Sequence, residues 1–321
     1  MGIYRFLCTL GGLAMSACVV APVPPDPAPA REIRFSERHI FPESLTRAGD
    51  GALIASSLSQ PFIYKAAAGD DTARRWIDLR PLNSASYGVL ADDAAATLWA
   101  CTIEGFNKDG RPPALAIRRT AVRAFDLDSG ALEQSWQLPG SANACNDLAV
   151  DREGTLYVTD TANGVILRLG SEGLEIFYSG PETRLVDGIA FAAGQLFFTS
   201  LHSGRVFRLP IFENGRPDRP IALRLSQALD KPDGMRADGA RLLVTDNSLN
   251  QLVQISLDGN DAKICVLAQN LQNPVGVAAA PDRIWFTESR SMYWSDPRLA
   301  AADPNPFTIK SVGPEAAKAC R

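Results

Sequence analysis

One unit recurs six times along this chain, and that repetition constrains the fold more than any other feature. The clearest copy, NDLAVDREGTLYVTDTANGVILRLG at 146–170, reads as a short apolar strand, a D-x-x-G turn, a strong strand LYVTD, a polar turn and a third strand VILRL. Asp151 to Gly154 supplies the residue types of a tight reversal. The unit returns as DGIAFAAGQLFFTSLHSGRVFRL at 187–209, DGMRADGARLLVTDNSLNQLVQI at 233–255 and VGVAAAPDRIWFTESRSMYW at 275–294. Weaker copies start at Glu43 and Tyr87, so successive starts are 44, 59, 41, 46 and 42 residues apart. The long gap holds a charged, Pro-containing insertion, Asn107 to Arg119, read as a loop.

Multi-stranded repeats of this length are the signature of propeller blades. A blade is apolar on both faces and buries them only by stacking on neighbours in a ring. The sequence therefore predicts an all-β, six-bladed β-propeller over 31–321. Closure of such a ring joins strands from the two ends of the chain, and REIRF (31–35) and FTIKSV (307–312) are the candidates. A pair of β-sandwiches would not repeat sixfold.

Of the 321 residues 46% are hydrophobic and 21% charged, a globular composition with ample core. The net charge of −4 supplies no concentrated basic surface, so nucleic acid is not an expected partner. Residues 1–18, MGIYRFLCTLGGLAMSAC, carry one cation, an apolar stretch and small residues before Cys18, the layout of an export signal. It resembles the bacterial lipoprotein signal, with Cys18 as the lipidated residue, although Met15 stands where that pattern prefers Leu, Val or Ile. A plain signal peptide cut near Ala17 or Ala21 is the alternative. Five prolines between Val19 and Ala30 favour an extended, semi-rigid tether. The expectation is an exported bacterial envelope protein facing the periplasm or cell surface, touching membrane only through the anchor at Cys18.

Outside the signal there are four cysteines, Cys101, Cys145, Cys265 and Cys320, none with zinc-site spacing. An even count in an oxidising compartment suggests two disulfides with three connectivities open. Cys101–Cys145 with Cys265–Cys320 is the pairing favoured, and four buried thiols the alternative.

The repeat also offers an internal comparison. Its first position holds Glu43, Tyr87, Asn146, Asp187, Asp233 and Val275. Equivalent positions of innermost strands face the same axial region, so Glu43, Asn146, Asp187 and Asp233 are expected at the central channel. Three carboxylates together repel, and burying them costs several kcal/mol each unless compensated. One divalent cation would compensate them, and oxygen donors suit Ca²⁺ first, with Mg²⁺, Mn²⁺ or Zn²⁺ as alternatives. Taken singly, each of the four is also a common turn former.

On these residues the chain resembles the senescence-marker-protein/gluconolactonase/luciferin-regenerating family of six-bladed, NHL-like propellers. The resemblance rests on Asn146-Asp147 before LYVTD, on Val186-Asp187-Gly188, on Pro232-Asp233-Gly234-Met235 and on the position of Glu43, and spans about 40–295. It implies a divalent metal held by Glu43, Asn146, Asp187 and Asp233, hydrolysis of lactones or related esters, and Asp233 as the water-activating base. The chain departs from the family at Asp187, where many members have Asn. It departs again at Ala144, where sugar-lactone hydrolases often have Arg, and in its tether.

The two histidines, His39 and His202, read as surface or core residues before they read as catalysts. No G-x-S-x-G or nucleotide fingerprint occurs. The rival to a hydrolase is a non-catalytic propeller used as a binding or scaffold module, which has no need of the four channel residues together. A metal-free sugar-binding protein is a third reading.

Overall fold

The computed structural model describes residues 30–105, 119–299, 302–313 and 316. The signal and tether, Cys18, Cys320 and nearly all of the 107–119 insertion lie outside them. The described strands form five sheets, one of eight strands, three of four and one of five. The eight-stranded sheet is two four-stranded units joined edge to edge, so the strands resolve into six antiparallel four-stranded blades.

Blade 1 comprises Leu45–Arg47, Leu53–Ala55, Phe62–Ala66 and Thr72–Asp78, and blade 2 comprises Ser84–Asp92, Thr97–Glu104, Thr120–Asp126 and Leu132–Gln137. Blade 3 runs through Cys145–Val150, Leu156–Asp160, Val165–Gly170 and Gly173–Ser179. Blade 4 has Val186–Ala192, Gln195–Ser200, Arg205–Leu209 and Ile221–Ala222. Blade 5 has Pro232–Asp238, Arg241–Asp246, Gln251–Asp258 and Asp261–Ala268, with Arg224–Leu225 added parallel at its outer edge. Blade 6 is made of Pro274–Ala280, Arg283–Glu288 and Thr308–Val312, completed by Glu32–Phe35 from the other end of the chain. That closing strand pairs antiparallel with Thr308–Val312, Ile33 opposite Ile309, as REIRF and FTIKSV predict. It also pairs parallel with blade 1, Arg34 opposite Thr72, which ties the first blade to the last. The first strands touch in cyclic order, blade 6 against blade 1, so the ring closes.

Burial falls from the axis outward. The second strand of blade 3, Leu156–Asp160, is buried at every position, whereas the outermost strand of blade 2, Leu132–Gln137, is almost wholly exposed. The apolar cores lie between blades rather than within them. Tyr157, Ile166 and Phe177 of blade 3, for example, pack on Ile189, Leu196 and Phe198 of blade 4. This is why the repeats read as strands apolar on both faces.

The feature that shapes the channel is a β-bulge at one place in five blades. The ladder between first and second strands slips around Tyr87–Gly88, Asn146–Asp147, Asp187–Gly188, Asp233–Gly234 and Val275–Gly276. A bulge re-aims side chains and leaves backbone groups outside the ladder. In blades 3 to 6 a threonine of the second strand takes up those groups. Thr159 Oγ1 accepts from Asp147 N at 2.9 Å and donates to Asp187 O of the next blade at 2.8 Å. Thr245 Oγ1 donates to Val275 O at 2.8 Å, latching blade 5 to blade 6. The residue after the bulge's first position is mostly glycine because the next blade's carbonyl passes too close for a Cβ. At Gly234 a Cβ would stand 1.9 Å from Val275 O, and at Gly188 2.4 Å from Asp233 O. Gly234→Ala should therefore force blades 5 and 6 apart and lower stability by about 1–3 kcal/mol, read from urea unfolding. An unchanged midpoint would show that the ring yields freely at that contact.

Four of the repeat starts fall one residue inside their strands, whereas Tyr87 sits three residues inside, because the first strand of blade 2 begins at Ser84. Cys101 and Cys145 form a disulfide between blades 2 and 3, Cα atoms 5.3 Å apart. Cys265 is also disulfide-bonded. Its expected partner, Cys320, is outside the described residues.

Candidate metal centre

All six first-position residues, Glu43, Tyr87, Asn146, Asp187, Asp233 and Val275, line one cavity of about 320 Å³ at the end of the channel where the first strands begin. The phase argument thus places its residues together, five of them at the bulges and Glu43 just before the first strand of blade 1. Leu58, Ala144 and Leu201 add apolar wall, and Thr161, Asn247, Ser289 and Ser291 add neutral polar wall. Below the mouth lies a space of about 10 Å³, bounded by Glu43, Asn146, Asp147, Asp187, Asp233 and Arg236. That is room for about one water-sized sphere.

Glu43, Asp187 and Asp233 are perturbed upward. Burial, then the charges of Asp187 and Asp147, pushes Glu43 from 4.5 up to about 8. Burial, then Asp233 and Asp147, raises Asp187 well above the usual carboxylate range, against a lowering hydrogen bond from Asn146. Burial, then Glu43 and Asp147, raises Asp233 likewise, against a lowering bond from the Gly234 amide. Asn146 Nδ2 donates to Asp187 Oδ2 at 2.5 Å and to Thr161 Oγ1 at 3.0 Å. Both amide protons are thereby used, leaving Oδ1 as a free donor of lone pairs. Asn247 Nδ2 approaches Asp233 Oδ2 at 3.5 Å.

Among the described residues no three His, Cys, Asp or Glu side chains are drawn together as a ready-made cation cage. The donors surround a shared space instead of meeting at a point. Their chemistry still fits a hard divalent cation: hard oxygen donors, three carboxyls held in a form that disfavours their charge, and a space of one-ion size between them.

Two residues at this centre were not read from the sequence. Asp147, beside Asn146, is buried and accepts Arg236 Nη1 on both oxygens at 2.9 Å. Arg236 comes from blade 5, and its Nη2 donates to Val89 O of blade 2 at 2.9 Å and Ser44 Oγ at 3.2 Å beside blade 1. One guanidinium thus plugs the channel under the acids. A signal for Asp147 was present. The second bulge position is glycine in four repeats, Gly88, Gly188, Gly234 and Gly276, and a carboxylate there breaks the pattern.

Neither histidine reaches the cavity. His39 is exposed, its amide donating to Asn305 Oδ1, and His202 is exposed in a turn. Glu104 pairs with Arg123 at 3.4 Å, and Glu288 with Lys310 at 2.5 Å, so both serve the scaffold.

No protein-family model matches the chain, and no curated protein sequence does. Solved structures do. A protein provisionally named a gluconolactonase superposes with a TM-score of 0.64 at 16% identity, over 89% of this chain and 93% of its own. A gluconolactonase from Xanthomonas campestris gives 0.61 at 16% identity, over 90% and 98%. A luciferin-regenerating enzyme gives 0.60 at 12% identity, over 89% and 95%. At these identities the likeness is one of fold, and it agrees with the resemblance carried by the motifs.

Proposed function

We propose that the chain is an exported, divalent-cation-dependent hydrolase of lactones or related esters, anchored through lipidated Cys18. The observation that carries this reading is the shared cavity. Four of its six first-position residues are oxygen donors, and the carboxyls among them are buried without a compensating cation from the protein. An interaction module gains nothing from that arrangement.

Glu43, Asn146, Asp187 and Asp233 would hold the cation, Ca²⁺ first. Bound there, the cation would act as a Lewis acid toward an ester carbonyl. The rest falls to the chain. Asp233, once ionised, accepts the proton of the attacking water at its carboxylate, with Asn247 beside it to fix its orientation. Leu58, Tyr87, Leu201 and Val275 exclude water from an apolar acyl or ring portion. Among the described residues no Lys, Arg or His lines the mouth, so nothing there pairs with a substrate carboxylate. Four ligands and one divalent cation sum to −1, which repels an anion. Neutral lactones are therefore the expected class, and a carboxylate-bearing lactone of the same ring should show a kcat/KM lower by about tenfold or more.

The test is lactone turnover with Ca²⁺, Mn²⁺, Mg²⁺ and Zn²⁺ supplied in turn, on wild type and Asp233→Asn. Turnover should depend on one of the cations, and kcat should drop by about 10²–10⁴-fold in the variant. Undiminished hydrolysis by Asp233→Asn would remove the base from this account. Failure across neutral lactones and esters despite cation binding would favour the binding-module reading.

A further inference from the structure

At the face opposite the mouth, three arginines from separate parts of the chain line one cavity of about 150 Å³. Arg47 ends the first strand of blade 1. Arg283 opens the second strand of blade 6, just after the turn that reverses the chain at that face. Arg31 directly precedes the closing strand. Trp285 lines it with them, and apart from Asp282 the rest of the wall is apolar or small, Ile33 and Leu53 beside glycine, alanine and proline.

The arginines are drawn together and left under-compensated. Arg31 and Arg283 both lie over the Trp285 ring, at 5.9 and 5.5 Å from its centre, so one aromatic face holds two guanidinium groups. Arg283 has only 10% of its side chain exposed and pairs with Asp282, the single carboxylate of the wall. Arg31 spends Nη2 on the backbone carbonyls of Gly69 and Asp70. Arg47 makes no hydrogen bond or ion pair among the described residues, and its Nη2 stands at the Gly51 edge of the cavity. The nearby acids form no ion pair with it. Asp50 accepts the Ala52 amide and Asp70 the Ala67 amide. Among the residues that line it, three guanidinium groups face one paired carboxylate, an excess of positive charge in a cavity of oxyanion size.

We propose that this cavity is a phosphate-binding site at the face from which the N-terminal segment leaves the propeller. The arginine forks match a tetrahedral oxyanion, and Trp285 holds two of them in place before it arrives. The phosphate group has two sources, free inorganic phosphate and the phosphodiester of an anionic lipid beneath an anchored domain. The site is independent of the lactonase reading.

Every described strand of the ring lies between Glu32 and Val312, so a chain beginning at Val19 keeps the fold and the tether without the lipid. Titration calorimetry of that chain with inorganic phosphate, against chloride at equal ionic strength, should show one site. Arg47→Gln removes no ion pair and should weaken binding by about tenfold or more while the unfolding midpoint in chloride stays put. Arg283→Gln should weaken binding likewise, and because it also removes the Asp282 pair and the stacking on Trp285 it should lower the unfolding midpoint. Sedimentation with phosphatidylcholine vesicles, with and without phosphatidylglycerol, separates the sources. Phosphate binding without vesicle binding assigns a free ligand, and Arg47-dependent binding to the anionic vesicles alone or in addition assigns the headgroup. No preference for phosphate over chloride and no Arg47-dependent vesicle binding, or phosphate affinity unchanged from wild type in both variants, overturns the site.

Discussion

In the presence of a chelator this protein should lose stability steadily as the pH rises from about 4.5 to about 8, and saturating divalent cation should abolish that slope. Glu43 titrates near 8 in the folded chain against 4.5 when free, and Asp187 and Asp233 are raised from 3.8 in the same direction. Between the free and folded values the native state holds protons that the unfolded chain has released. Stability is then greatest below the free values and falls through the folded ones, by about 1.4 kcal/mol per pH unit for each proton involved. A cation bound among the carboxyls replaces those protons, so it binds more tightly as the pH rises. At about a thousandfold excess over its dissociation constant it would add about 4 kcal/mol. The measurement is the urea midpoint across this pH range, in EDTA and in excess Ca²⁺, Mg²⁺, Mn²⁺ and Zn²⁺. Glu43→Gln should flatten the EDTA curve and blunt the response to the cation. Identical curves with and without every cation would end the metal reading of the channel.

Arg236→Met should be the most damaging single substitution at the channel, at about 3–5 kcal/mol. Arg236 and Asp147 have only 12% and 8% of their side chains exposed. Removing the guanidinium leaves Asp147 charged, buried and beside Glu43, Asp187 and Asp233, all of which its charge already perturbs. It also frees Val89 O and Ser44 Oγ of a donor, so blades 1, 2 and 3 lose their tie to blade 5. Arg236→Met with Asp147→Asn should recover much of the loss. The charge then goes with its partner, while the amide oxygen still accepts the Ile189 amide now bound to Asp147 Oδ2 at 3.1 Å. Equilibrium unfolding of the two single variants and the double variant checks the cycle. A loss below about 0.5 kcal/mol in Arg236→Met would mean that water reaches the pair and screens it.

Much of this was legible in the residues because a propeller repeats its local hydrogen bonding. The strand–turn–strand unit of 146–170 could be matched down the chain, and REIRF found its partner in FTIKSV because a ring has a single seam. The same logic set Glu43, Asn146, Asp187 and Asp233 around one cavity, since five blades carry a bulge at the same phase and Glu43 enters the first blade at the equivalent place. The Cys101–Cys145 disulfide followed the same ordering, joining neighbouring blades. The threonines at the bulges of blades 3 to 6 were visible as a recurrent T before the turn, in LYVTD, FFTS, LVTD and WFTE, but the latch that three of them make to the next blade was not. It depends on which carbonyl the neighbouring blade presents.

By itself, then, the sequence determined what is periodic: the strands, the closed seam and the residues of equal phase that share the channel. It could do so because backbone ladders and bulges are local and recur with the repeat. Only the tertiary structure decided what crosses the ring. Arg236 meets Asp147 across 89 residues and two blades, and Arg31, Arg47 and Arg283 gather around one cavity from both ends of the chain. Those contacts are set by how far a long side chain reaches once the blades have closed, and no spacing along the sequence encodes that distance.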